Sequence, residues 1–163
     1  MKKIFTILLI ISVMTTQAQD IQALQDRMDL KHLVDTFSNL ADTKNVDAQL
    51  LLFTKDAVVE SISNSSSSSK LVGHEQIGTA FKNFLGLFET VYHQNGQQTV
   101  EINGDTASGT AYCTVVLIGN NDGLKTMTTM GVRYQDQYVR MDGKWLIAKR
   151  ISNFMWQDVK SIE

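Results

Sequence analysis

Between Asp20 and Ala41 the apolar residues Ile21, Leu24, Met28, Leu33, Phe37, Leu40 and Ala41 recur mostly every three to five positions. That spacing predicts one face of a long amphipathic helix. The run Asp42-Thr43-Lys44-Asn45 breaks it, and Asp47 to Phe53 predicts a second, shorter helix with Leu50, Leu51, Leu52 and Phe53 on its buried side. Alternating and β-branched residues from Asp56 to Ile62 predict a strand. The serine run from Ser65 to Ser69 offers nothing to bury and is expected as a solvated loop tip. A third helix is predicted from about His74 to Phe88, with Ile77, Ala80, Phe81, Phe84, Leu85 and Phe88 facing inward.

From Thr90 onward the period shortens. Thr90–Ile102, Thr106–Gly119, Thr126–Met141 and Lys144–Trp156 read as four strands. They are separated by Asn103-Gly104-Asp105, Asn120-Asn121-Asp122-Gly123 and Asp142-Gly143, the residue types that tight hairpin turns select. Helices followed by an antiparallel meander define an α+β chain, because a βαβ alternation would place helices between the strands. Gly104 and Gly143 are turn glycines, and no phosphate-binding loop is present.

Composition narrows the function classes. The 163 residues are 43% hydrophobic and 20% charged, with no Pro and one Cys, which suits a single folded domain. A formal charge of −2 gives no electrostatic basis for nucleic-acid binding. One Cys excludes an internal disulfide, and three dispersed His predict no metal site. Residues 1–18 read as a signal peptide: Lys2 and Lys3, an apolar run from Ile4 to Met14, then Thr16-Gln17-Ala18 with small residues flanking a cleavage point. That run is shorter than the roughly 20 residues a spanning helix needs, so no membrane span is expected after cleavage. Residues 19–163 would then form the mature domain, exported to the periplasm or the extracellular space. Removing eighteen residues, two of them Lys, leaves 145 residues at a formal charge of −4.

Several segments in order make the fold more specific. They are Phe37-Ser38-Asn39-Leu40-Ala41-Asp42, Leu52-Phe53-Thr54-Lys55-Asp56-Ala57-Val58, Gly73-His74-Glu75-Gln76-Ile77 and Val91-Tyr92-His93-Gln94-Asn95. Gly131-Val132-Arg133-Tyr134-Gln135-Asp136, Asp142-Gly143-Lys144-Trp145, Arg150 and Trp156 complete the series. Together they resemble the SnoaL-like branch of the nuclear transport factor 2-like superfamily. The resemblance implies a cone-shaped, curled antiparallel or mixed sheet packed on the long N-terminal helix and two further helices. Between them lies a pocket for a small, largely apolar molecule, and pairing through the outer sheet face implies a homodimer. It further implies cofactor-free acid–base chemistry of the lyase (dehydratase) or isomerase type, with a non-catalytic binding or dimerisation module as the alternative. Asp42 matches the Asp closing the first helix, His93 the His on the strand after the third helix, and Arg150 a last-strand Arg that in some members meets a substrate's acidic end. Phe37 departs from the pattern, because dehydratase-like members often carry a Tyr there. No carboxylate stands between Tyr112 and Leu117, where another acidic residue is expected.

The residues themselves carry two readings each. His93 titrates near neutrality and suits proton transfer, with Asp42 fixing its tautomer; alternatively it is a half-buried, hydrogen-bonded strand residue. Asp42 alone could cap the second helix. Arg150 could steady an oxyanion or pair across the sheet. Tyr112 and Tyr134 could donate into the pocket or pack in the core, and Phe37 would line it. Cys113 is expected to pack as a small hydrophobe.

Overall fold

The computed structural model describes residues 2–63 and 67–162, with residues 2–19 described by their backbone alone. Nine elements follow in order: α1 (Lys2–Asp42), α2 (Val46–Leu50), β1 (Phe53–Ser63), β2 (Ser67–Val72), α3 (Gly73–Gly86), β3 (Thr90–Asn103), β4 (Thr106–Asn121), β5 (Leu124–Met141) and β6 (Lys144–Ser161). The six strands form one sheet in the order β2-β1-β6-β5-β4-β3. All neighbours are antiparallel except β1 and β6, which run parallel, so the sheet is mixed.

The buried stripe of α1 differs from the predicted one in its first half. Asp26, Leu30, Leu33, Val34, Phe37, Ser38 and Ala41 are buried, while Ile21, Leu24 and Met28 are exposed. Asp26 sets that rotation. Its carboxylate takes Arg140 Nη1 and Nη2 at 2.6 and 2.8 Å and Trp145 Nε1 at 3.2 Å. The Arg140 guanidinium lies 4.4 Å from the Trp145 ring centre. This polar clasp on β5 and β6 turns Asp26 inward and carries Leu24 and Met28 out to solvent.

Two short elements also differ from expectation. α2 begins at Val46, opened by the Asn45 side chain accepting from the Ala48 amide at 3.2 Å, and ends at Leu50, so that Phe53 opens β1. Part of the serine run is strand: Ser67, Ser68 and Ser69 pair with Ser63, Ile62 and Ser61. Residues 65 and 66 of that run lie outside the described residues.

The sheet curls through register shifts. One on β3 falls between Asn95 and Gln98, and two on the β5–β6 ladder fall at Gly131/Val132 and Gln137/Tyr138. The β4–β5 and β5–β6 hairpins close with Asp122-Gly123 (φ 51° and 84°) and Asp142-Gly143 (φ 51° and 76°). Positive φ at both central residues gives turns that match strand twist. Alternate residues Ala107, Ala111, Cys113, Val115 and Leu117 of β4 face the concave side and share one buried core with the inner face of α1, which crosses β3. Among the described residues, no helix is long and apolar enough to cross a membrane.

Candidate active site

A cavity of about 340 Å³ lies within the cone, between α1, α3 and the concave sheet. At ~30 Å³ per water it has room for about eleven waters, or one small organic molecule. Its walls are mostly phenyl and aliphatic: Phe37, Phe81, Phe84, Leu85, Val115, Leu117, Met130 and Phe154. The polar groups reaching it are few, principally His93, Arg150, Gln49, Tyr134, Ser61 and Ser152.

Asp42 is the last residue of α1, where the helix dipole disfavours negative charge. Asn45 takes the capping role of α2, so Asp42 is free for another partner. That partner is His93 on β3: the Nδ1–Oδ1 distance is 2.7 Å. A carboxylate only accepts, so Nδ1 carries the hydrogen and donates. The His93 side chain is 8% exposed and that of Asp42 is 25% exposed, which puts the imidazole inside and its carboxylate at the rim. Burial lowers the His93 pKa below its ordinary value, and the Asp42 bond only partly offsets this. The ring is therefore neutral at pH 7, and Nε2 has no hydrogen-bond partner among the described residues. A buried neutral imidazole with its distal nitrogen unengaged is the arrangement of a general base.

Flanking contacts hold β3 in place. Ser38 Oγ donates to Asn95 Oδ1 at 3.0 Å, and Asn95 Nδ2 donates to Asp35 Oδ1 at 2.9 Å. Asn95 stands two residues after His93 on the same strand face, so these bonds fix the imidazole against the end of α1.

Arg150 on β6 is 1% exposed. Its Nε and Nη2 donate to both Asp136 oxygens at 2.8 and 2.7 Å, and Tyr138 donates to Asp136 at 2.8 Å. Burial opposes the charge on Arg150, but Asp136 outweighs it and its pKa is raised. The guanidinium lies in the corner formed by Phe37 and Tyr134, 4.2 and 4.4 Å from their ring centres. Phe37 also meets Phe53, Phe81 and Tyr134 edge-on, with centroids 5.9 to 6.3 Å apart. Burial raises the Tyr134 pKa, so its phenol stays protonated and remains a donor.

The structure thus brings His93, Phe37, Tyr134 and Arg150 to one cavity, with Asp42 held behind His93 at its rim. Tyr112 is not among them. It lies on the convex face, 42% exposed, because residues of β4 alternate and its neighbours Ala111 and Cys113 point inward. Cys113 is buried, and desolvation pushes its thiol up to about 12, which leaves it unreactive. Among the described residues, no three His, Cys, Asp or Glu side chains gather as metal ligands do. Sequence reasoning missed Asp136, the partner of Arg150, and Gln49. The only signal for Gln49 is its spacing of three from Val46, which makes the two the buried pair of α2.

A curled mixed sheet wrapped on a long helix, with a His inside the cone and its Asp partner at the rim, defines a nuclear transport factor 2-like α+β protein. The family model for the SnoaL-like domain matches residues 22–151, and the chain belongs to that family. An uncharacterised protein of Mycobacterium bovis is 23% identical over 146 residues, covering 90% of this chain and 97% of its own length. Among solved structures, a Novosphingobium aromaticivorans protein provisionally named an aromatic ring hydroxylase superposes with a TM-score of 0.73 at 26% identity, covering 85% of this chain and 94% of its own. A provisionally named scytalone dehydratase of the same organism gives 0.73 at 14% identity, covering 86% and 91%. A hexachlorocyclohexane dehydrochlorinase gives 0.71 at 15% identity, covering 88% and 93%. The last two likenesses show the fold alone.

Proposed function

We propose that this chain binds a small, largely apolar molecule in the cone cavity and acts on it by cofactor-free acid–base chemistry of the lyase or isomerase type. The observation that carries the reading is the 2.7 Å bond from His93 to Asp42, which leaves Nε2 of a neutral, buried imidazole free. His93 Nε2 takes a proton from a carbon beside a carbonyl, and the C–H electron pair becomes the new double bond. In an elimination the C–O bond on the next carbon breaks and the oxygen leaves as water with the proton from His93. In an isomerisation the same proton returns at another carbon. Asp42 stabilises the imidazolium in between. Tyr134, protonated and facing Phe37, supplies the phenol that Phe37 lacks, and Arg150 steadies charge on the carbonyl oxygen. The names of two fold neighbours, a dehydratase and a dehydrochlorinase, describe eliminations and support the class.

The test is turnover of cyclic β-hydroxy ketones, followed by the absorbance of the conjugated product. His93→Ala should lower kcat by about 10²–10⁴-fold with ligand affinity kept within a few fold, and Asp42→Asn should lower it less. Unchanged turnover in His93→Ala removes His93 from the chemistry. Binding without turnover in the native chain would make it a non-catalytic binding module. We further propose that two copies pair through the convex sheet face.

A further inference from the structure

Gln49 is 1% exposed and lines the cavity from α2. Its Nε2 donates to the Phe37 carbonyl at 3.0 Å. That bond fixes the amide's orientation, since reversal would set Oε1 against another acceptor. Oε1 is then buried without a hydrogen-bond partner among the described residues. On the sheet wall, Arg150 spends Nε and Nη2 on Asp136 while Nη1, equally buried, has no partner. A folded protein seldom leaves such groups unmatched unless something else matches them. Here an unmatched acceptor and an unmatched donor belong to two side chains lining the same largely hydrocarbon cavity.

The charge balance narrows what the donor takes. Asp136 already neutralises Arg150 in a buried, bidentate pair. A ligand carboxylate beside them would leave a net negative charge in a dry site, whereas a neutral carbonyl oxygen would not. We propose that Gln49 is a specificity-determining residue whose Oε1 accepts a hydrogen bond from a substrate hydroxyl, while Arg150 Nη1 donates to the same molecule's ketone oxygen. The substrate class is a small, otherwise hydrocarbon hydroxy-ketone. Ser61 and Ser152, paired across β1 and β6, and Tyr134, paired with Ser152 on β5, form a row of hydroxyls along the cavity wall. This row gives the substrate's polar edge further hydrogen-bonding surface. The inference rests on the proposed binding role of the cavity but not on the acid–base step.

The test compares dissociation constants of the full chain for the three hydroxycyclohexanone regioisomers, the matching fluorocyclohexanones and a hydroxycyclohexane carboxylate, read by ligand-observed NMR. Fluorine keeps the size of the hydroxyl but cannot donate. The best hydroxy-ketone should bind at least about tenfold more tightly than its fluoro counterpart, and more tightly than the carboxylate. In Gln49→Met the hydroxyl preference should fall to within about twofold while fluoro-ketone affinity holds. Equal binding of hydroxy- and fluoro-ketones by the native chain overturns the proposal without any variant, as does a preference that survives Gln49→Met. Failure of every ketone to bind overturns both this inference and the binding role of the cavity. Intact hydroxyl preference alongside unchanged turnover in His93→Ala would overturn only the acid–base reading.

Discussion

At the scale of single residues, His93 decides how the site responds to pH. Its folded pKa lies below the unfolded value of about 6.5 because burial penalises the imidazolium more than Asp42 rewards it. Below that unfolded value the unfolded chain takes up a proton that the native chain still refuses. The contribution of His93 to stability is therefore complete above about pH 6.5 and is lost as pH falls through the folded pKa. Turnover needs the same neutral ring, so its acid limb should fall below pH 6.5 as well. An NMR titration of the His93 ring should give a midpoint below 6.5, and one lower still in Asp42→Asn, where the offsetting charge is gone. A midpoint above 6.5 in the native chain would contradict the burial argument.

At the scale of elements, legibility followed local chemistry. The β4–β5 and β5–β6 turns were readable because Asp-Gly pairs adopt positive φ at little cost, so the strands they join fell within a few residues of prediction. β2 was not readable, since its serines carry no strand preference and its pairing comes from β1. The parity of β3 was hidden too. The shift after Asn95 lets His93 and Asn95 face α1 at odd positions while Gln98 does so at an even one. Asp42 and His93 could be picked out, but only the family resemblance suggested that they meet. The rotation of α1 was the largest miss, because a buried Asp inverts the hydrophobic pattern that normally identifies the inner face. That inversion makes a stability prediction. The guanidinium of Arg140 holds the Asp26 carboxyl down to about 2. Asp26→Ala leaves Arg140 Nη1 and the Trp145 N–H without their acceptor, and should cost about 2–3 kcal/mol at neutral pH by denaturant titration. In the native chain this contribution is present above the unfolded carboxyl pKa of about 3.9 and is lost as pH falls through about 2. Asp26→Ala should lack that acid limb. A variant as stable as the parent would show that Leu30, Leu33 and Phe37 alone set the helix.

At the scale of the whole molecule, the two sheet faces divide the work. The concave face is closed by α1 and α3, whereas the convex face keeps Tyr92, Tyr112, Met155 and Trp156 more than 40% exposed. Trp156 lies against Gly131, where even a methyl group would come within 2.1 Å of its indole nitrogen, so any side chain opposite it on β5 would displace the indole. Beside it, Arg133 pairs with Tyr112 across β4 and β5 and keeps a buried Nε with no hydrogen-bond partner among the described residues. Exposed aromatics around an unmatched donor have the composition of an interface centre rather than of open surface. A stable dimer needs about 800 Å² from each partner, which a face of four long, curled strands can supply. The native chain should therefore run as a dimer by light scattering at micromolar concentration. Trp156→Asp, which places a charge at the centre of that patch and leaves the cavity lining untouched, should run as a monomer that still binds hydroxy-ketones. A native monomer, or a Trp156→Asp dimer, would move the interface elsewhere. If the variant lost both pairing and ligand binding, dimerisation would be holding the cone closed, since Met155 and Trp156 follow directly on Phe154 of the cavity wall.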